Sequence, residues 1–164
     1  MTNTTKFLIR YLFVTISGVL LHFAYNFSGQ NGIVGLFTPV NESTWEHLKL
    51  LFFPMLLLTV WDLFKIEEPS EAFLPARLSG IIAGMIFIVV VFYTITGIIG
   101  KSIDWLNITI YFLSVLFAFW IEKKIYGKNK ILTTSLSIGI LILLSVLFVS
   151  FTFSPPNIGL FQVP

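Results

Sequence analysis

Leu78-Ser-Gly-Ile-Ile-Ala-Gly-Met-Ile-Phe-Ile-Val-Val-Val-Phe-Tyr-Thr-Ile-Thr-Gly-Ile-Ile99 runs for 22 residues without a charged side chain. About 20 mostly apolar residues suffice for a helix to cross a bilayer, so this stretch predicts a transmembrane helix. Four further segments read the same way: residues 7–27, 43–64, 104–121 and 131–153. Composition agrees with them. Of the 164 residues, 56% are hydrophobic and 11% charged, whereas soluble domains carry about 25% charged residues. Mean hydropathy is +0.92, and a water-soluble fold of this size cannot hide so much apolar surface. The expected fold is therefore all-α: one membrane domain, residues 1–164, with five spans and short connections. A net charge of +2 over short loops makes no basic face, which excludes nucleic acid and leaves the lipid bilayer as partner. The absence of cysteine excludes a disulfide framework, a thiolate metal site and a cysteine nucleophile.

Orientation follows from lysine and arginine in short loops. Lys6, Arg10, Lys65, Arg77, Lys123, Lys124, Lys128 and Lys130 fall on one side of a five-span chain, leaving Lys49 and Lys101 on the other. The N-terminus is expected in the cytoplasm and the C-terminus outside. Lys6 and Arg10 before an apolar run resemble a signal peptide, but His22, Tyr25 and Asn26 follow with no small-residue cleavage pattern, so the segment reads as a retained helix. Tryptophan favours both interfaces. Trp45 and Trp61 bracket the second span, Trp105 and Trp120 the fourth, at roughly 24 and 22 Å of helix rise.

Polar residues inside the spans point to packing and to chemistry. Tyr11, Thr15, Gly18, His22 and Tyr25 or Asn26 share one face of the first span. Such a stripe is costly against lipid and should turn inward, with His22 either satisfied by a neighbour or functional. Asn107, Tyr111, Ser114 and Ala118 form a second stripe on the fourth span. Pro54 removes a backbone hydrogen bond in mid-span. Gly80 and Gly84 make a small-xxx-small pair that lets helices approach, within the bundle or in self-association or contact with another membrane protein.

The densest polar block is Pro39-Val40-Asn41-Glu42-Ser43-Thr44-Trp45-Glu46-His47-Leu48-Lys49. Two helix caps compete there. Asn41 as cap pairs Val40 with Trp45 as a hydrophobic staple, whereas Ser43 as cap forms a capping box with Glu46. With Asn41 as cap, Glu42 and Glu46 share a face, followed by Lys49. His22 lies at similar depth on the first span, so His22, Glu42, Glu46 and His47 are expected to converge. Two imidazoles and two carboxylates suit zinc, manganese or iron, and Glu46 is the candidate general base. A metal-free pocket, or helix capping with a Lys49 ion pair, uses the same residues. Tyr25, Asn26, Asn41, Lys49 and Asn107 are candidate substrate-binding residues, with Asp104 beside Asn107. The glycine-bearing, apolar connection at residues 28–39 is expected to act as a lid or a plain loop. At the inner boundary, Asp62 and Glu122 read as hydrated helix ends paired with local lysines.

The Asn41-Glu42-Ser43 and Trp45-Glu46-His47 block, with His22 upstream and Leu48-Lys49 behind, resembles an uncharacterised family of small multipass bacterial membrane proteins, mainly from Gram-positive bacteria. The resemblance covers most of the chain and is most specific from Phe37 to Pro54. It implies a bacterial cell-membrane protein and carries no activity with it. The residues themselves leave three functions open. One is binding or transport of a small solute or metal ion. Another is a membrane-embedded metal-dependent hydrolase or transferase acting on a lipid. The third is an assembly or scaffold subunit.

Overall fold

The computed structural model describes residues 3–65, 70–128 and 132–164. They form α1 (Asn3–Phe27), the single-turn α2 (Gly32–Gly35), α3 (Thr44–Lys65), α4 (Phe73–Ile99), α5 (Asp104–Ile125) and α6 (Thr134–Phe153), then one 3-10 turn at Gly159–Phe161. No strand occurs among the described residues. All helices but α2 are long and apolar enough to cross a membrane. Lys130 and the expected start of the fifth segment at Ile131 lie outside the described residues.

Several helices overrun their apolar stretches: α1 begins at Asn3, α4 at Phe73, and α5 continues to Ile125. Backbone hydrogen bonding persists through polar turns that hydropathy does not mark. Local chemistry does mark them. Pro75 occupies the first turn of α4, where a backbone N–H has no intrahelical partner to lose. Lys123 and Lys124 sit in the last turn of α5, facing the negative end of the helix dipole. Gly100 ends α4 with φ +80° and donates its N–H to Thr96 O at 2.7 Å, a left-handed cap that suits glycine.

Contacts at both ends fix the helix directions. His22 of α1 meets His47 near the start of α3, while Arg10 meets Asp62 near its end, so these helices are antiparallel. Arg77 then joins the start of α4 to the ends of α3 and α5, and Thr152 joins the end of α6 to Lys49 of α3. The centre is α3, with 56% of its most apolar stretch buried against 17–28% in the other four. Leu51, Phe52 and Met55 of α3 pack with Val14, Leu78, Ile81, Val115 and Phe148 from the surrounding helices. Outward faces stay apolar, as at Leu20, Phe64 and Ile98.

Small residues set the close approaches. Pro54 lacks the N–H that would bond Leu50 O, and the Tyr111 hydroxyl of α5 lies 3.3 Å from that carbonyl and 2.9 Å from Val14 O. Gly18 makes room for this junction: a Cβ there would collide with the Tyr111 hydroxyl and stand 2.6 Å from Leu50 O. Gly80 and Gly84 press α4 against α5, where added Cβ atoms would lie 2.6 Å from Ala118 O and 3.0 Å from Ala118 Cβ. That small-residue face is thus covered by α5 of the same chain. Trp61, Trp105 and Trp120 are exposed. Trp45 instead packs inside, its ring centroid 4.7 Å from Phe148 and 4.9 Å from Phe161, because the chain after α6 folds back over it.

Candidate metal site

The local fold of the polar block decides which side chains meet. Asn41 Oδ1 accepts the Ser43 N–H at 2.9 Å, turning the chain. Ser43 O then accepts from His47 N, and Ser43 Oγ accepts from Glu46 N at 3.4 Å. Ser43 is therefore the cap, and Glu42 precedes the helix. The expected shared face of Glu42 and Glu46 does not form, because it required helical backbone from Glu42 onward. The box is also incomplete: Glu46 reaches past Ser43 and accepts the Val40 N–H at 3.0 Å. Glu42 and His47 flank the cap where a staple pair would stand, joined at 3.3 Å in place of an apolar contact.

His22, Glu42 and His47 are the one group of three or more metal-capable side chains brought together among the described residues, with ligand atoms within 4.8 Å of one another. His47 Nδ1 lies 3.0 Å from Ser43 O. A carbonyl can only accept, so Nδ1 carries the proton and Nε2 is the free position of the neutral ring. Nε2 faces Glu42 Oε2 at 3.3 Å, an acceptor opposite an acceptor. Either a proton on Nε2 or a cation between them resolves that contact. A backbone acceptor holding the far nitrogen is also the usual support of a metal-binding imidazole. Bonds of 2.0–2.1 Å in a tetrahedral site place ligand atoms about 3.3 Å apart, the Glu42–His47 separation. The His22 ring stands on the third side, 5.3 Å from that of His47 between centroids.

Glu46 stands apart from this cluster. Its Oε2 accepts from Val40 N and from Lys49 Nζ at 2.7 Å, and it is buried. The expected role as fourth ligand or general base needs a carboxylate the cluster can reach, and Glu46 is held elsewhere. Lys49 is likewise sealed. Its Nζ lies within 3.2 Å of Glu46 Oε2, Gly35 O, Thr38 O and Thr152 Oγ1, more oxygens than an ammonium has protons. This knot ties the connection after α1 onto α3 and α6. That connection carries Phe37 down against Phe53, ring centroids 5.2 Å apart, roughly 13 Å along α3 from its start.

A cavity of about 310 Å3 opens beside the cluster, between α3, α4, α5 and the C-terminal segment. Glu42, His47, Asp104 and Asn107 line it, whereas His22 reaches the cluster from α1. Asn107 Nδ2 donates to Ser102 Oγ at 2.8 Å. Tyr25 packs instead against the α2 turn at Gly35. Asn26 is exposed beyond it, and the Asn41 side chain is engaged in its turn. Among the substrate-binding candidates, then, the cavity gathers Asn107 but not Tyr25, Asn26, Asn41 or Lys49.

The opposite end of the bundle holds a network the residue pattern did not reveal. Buried Arg77 donates to Glu122 Oε2 at 2.9 Å, Asp62 Oδ2 at 2.8 Å and Thr59 Oγ1 at 3.3 Å. Arg10 donates to Asp62 Oδ1 at 2.8 Å. Asp62 and Glu122 were expected on local lysines; they pair across helices with arginine, whose fork serves several acceptors at once. One signal was available. The chain's two arginines, among ten basic residues, stand at this end with both acids.

DUF6512, described as a family of unknown function, matches residues 1–163. No curated protein and no solved structure shows a significant match. By the extent of the family match, nearly the whole chain, the protein belongs to DUF6512.

Proposed function

We propose that the protein is a five-span membrane protein binding one divalent transition metal through His22, Glu42 and His47, in a solute-binding or transport role. The carrying observation is the convergence of these three ligand atoms within 4.8 Å, with His47 Nδ1 held by Ser43 O so that Nε2 faces the cluster. Two imidazoles and one carboxylate suit zinc, and also iron or manganese, with at least one coordination position left open. The apolar outer face of the bundle supports the membrane reading, since soluble monomers rarely expose such continuous apolar surface. Eight of ten basic residues fall on one side of a five-span chain, which favours a cytoplasmic N-terminus, with the metal at the outer face. In the family's proposed bacterial setting, this is the cell membrane.

The test is elemental analysis of detergent-purified protein beside a His22→Ala/His47→Ala double variant, both prepared without chelator and checked for folding by circular dichroism. Near-stoichiometric metal in the wild type and none in the folded double variant is the expected result. Equal metal in both, or none in either after incubation with zinc, manganese and iron(II), would refute the site.

A further inference from the structure

The cavity beside the cluster is polar at one end and apolar at the other. Its rim carries Glu42, His47, Asp104 and Asn107, with Glu42 and Asp104 exposed. Its depth is lined by Leu50, Ile88, Phe92 and Ile110, each at most 9% exposed. Because the deep residues are enclosed and the rim is not, entry is from the loop end rather than sideways between helices. The ring of Tyr111, whose hydroxyl is fixed on Val14 O, borders the same space.

Resting on the metal reading above, we propose that this cavity binds a single-chain amphiphile. An oxygen-donor head, such as a carboxylate or hydroxamate, completes the metal's coordination, and a short alkyl tail lies among Leu50, Ile88, Phe92 and Ile110. Three observations carry the assignment. Glu42 and His47 belong to both the ligand cluster and the cavity wall, so an open coordination position on that side faces the cavity. Apart from Thr44 and the Tyr111 ring, the deep lining offers an alkyl chain apolar walls, which makes its burial favourable. A volume of about 310 Å3 is at the lower limit of small-molecule sites, which admits one short chain and excludes a two-chain lipid.

The test uses full-length protein in nanodiscs, loaded with zinc, and compares acetohydroxamate with octanohydroxamate by calorimetry. The His22→Ala/His47→Ala variant in the same nanodiscs measures simple partitioning into lipid. Wild type is expected to bind octanohydroxamate about 100-fold or more tightly than acetohydroxamate, and the double variant to bind neither above partitioning. Ile88→Phe, which fills the depth of the cavity, is expected to keep zinc and lose at least about tenfold of the tail preference. Zinc bound with equal affinity for the two hydroxamates would overturn the amphiphile site while leaving the metal site standing. Failure of wild type to take up zinc would overturn both.

Discussion

The Arg77 network at one end of the bundle and the His22–Glu42–His47 cluster at the other hold ionisable side chains in opposite states. At the Arg77 end, Arg10, Asp62, Arg77 and Glu122 alternate in charge, and both acids meet arginine at 2.9 Å or less. At the His22 end, His47 Nε2 stands 3.3 Å from a carboxylate oxygen of Glu42, with Glu42 largely exposed and a cavity alongside. The first arrangement fastens four helices and leaves nothing for a ligand. The second is exposed and accessible. A buried charge persists only with a partner, so the difference separates groups that hold the fold from groups left accessible, where the proposed ion would bind.

Removing partners at each end sharpens that contrast. Arg77→Ala leaves Asp62 and Glu122 without their shared cation and is expected to cost about 3–5 kcal/mol, read as a loss of thermal stability or of folded yield in detergent. Arg77→Lys should restore only part, since an ammonium cannot reproduce the three-way fork. Arg10→Ala, on a half-exposed residue with Asp62 still held by Arg77, is expected to cost about 1 kcal/mol or less. Lys49→Met is expected to destabilise by a comparable 3–5 kcal/mol through the stranded Glu46. A Lys49→Met/Glu46→Gln pair should recover much of that. If the single Lys49 variant were as stable as wild type, the sealed ion pair would not be a fastening.

Intermediate effects are expected where helices touch. Gly18→Ala drives a methyl into the Tyr111 hydroxyl and Leu50 O and should cost about 1–3 kcal/mol. Combining it with Tyr111→Phe should cost less than the sum of the single changes, because both act on one junction; strict additivity in thermal unfolding would deny that contact. At the His22–Glu42–His47 cluster the expected stability changes are smallest. Glu42→Gln, at an exposed carboxylate, should shift stability by about 0.5 kcal/mol or less, yet it removes a ligand and should weaken zinc binding by more than about 100-fold. Acidification should release the metal, since protons compete for the same imidazole nitrogens. Metal should therefore leave as pH falls and return as it rises.

The long helices were legible because hydropathy and length mark them directly, and the inward stripe of Tyr11, Thr15, Gly18 and His22 was legible from its spacing. The block from Asn41 to Lys49 was visible as a concentration of polar groups, but not its internal division. Whether Glu42 or Glu46 joins His47 turns on a cap two residues earlier or later, and both Asn41 and Ser43 are good caps. A displaced cap rotates every following side chain by about 100° per residue, so the local choice rearranges the site. The Arg10–Asp62–Arg77–Glu122 network was illegible for another reason. Its bonded pairs lie 15 to 52 residues apart in sequence on separate helices, and helical periodicity relates residues only within one helix.

The most direct measurement is a calorimetric titration of zinc into chelator-stripped protein in nanodiscs, wild type beside Glu42→Gln and Asp62→Asn. One zinc per chain in wild type and in whatever Asp62→Asn protein folds, with binding lost in Glu42→Gln at nearly unchanged melting temperature, is the predicted result. Zinc bound equally by wild type and Glu42→Gln, or by neither, would contradict the division between the fastening Arg77 network and a metal-binding His22–Glu42–His47 cluster.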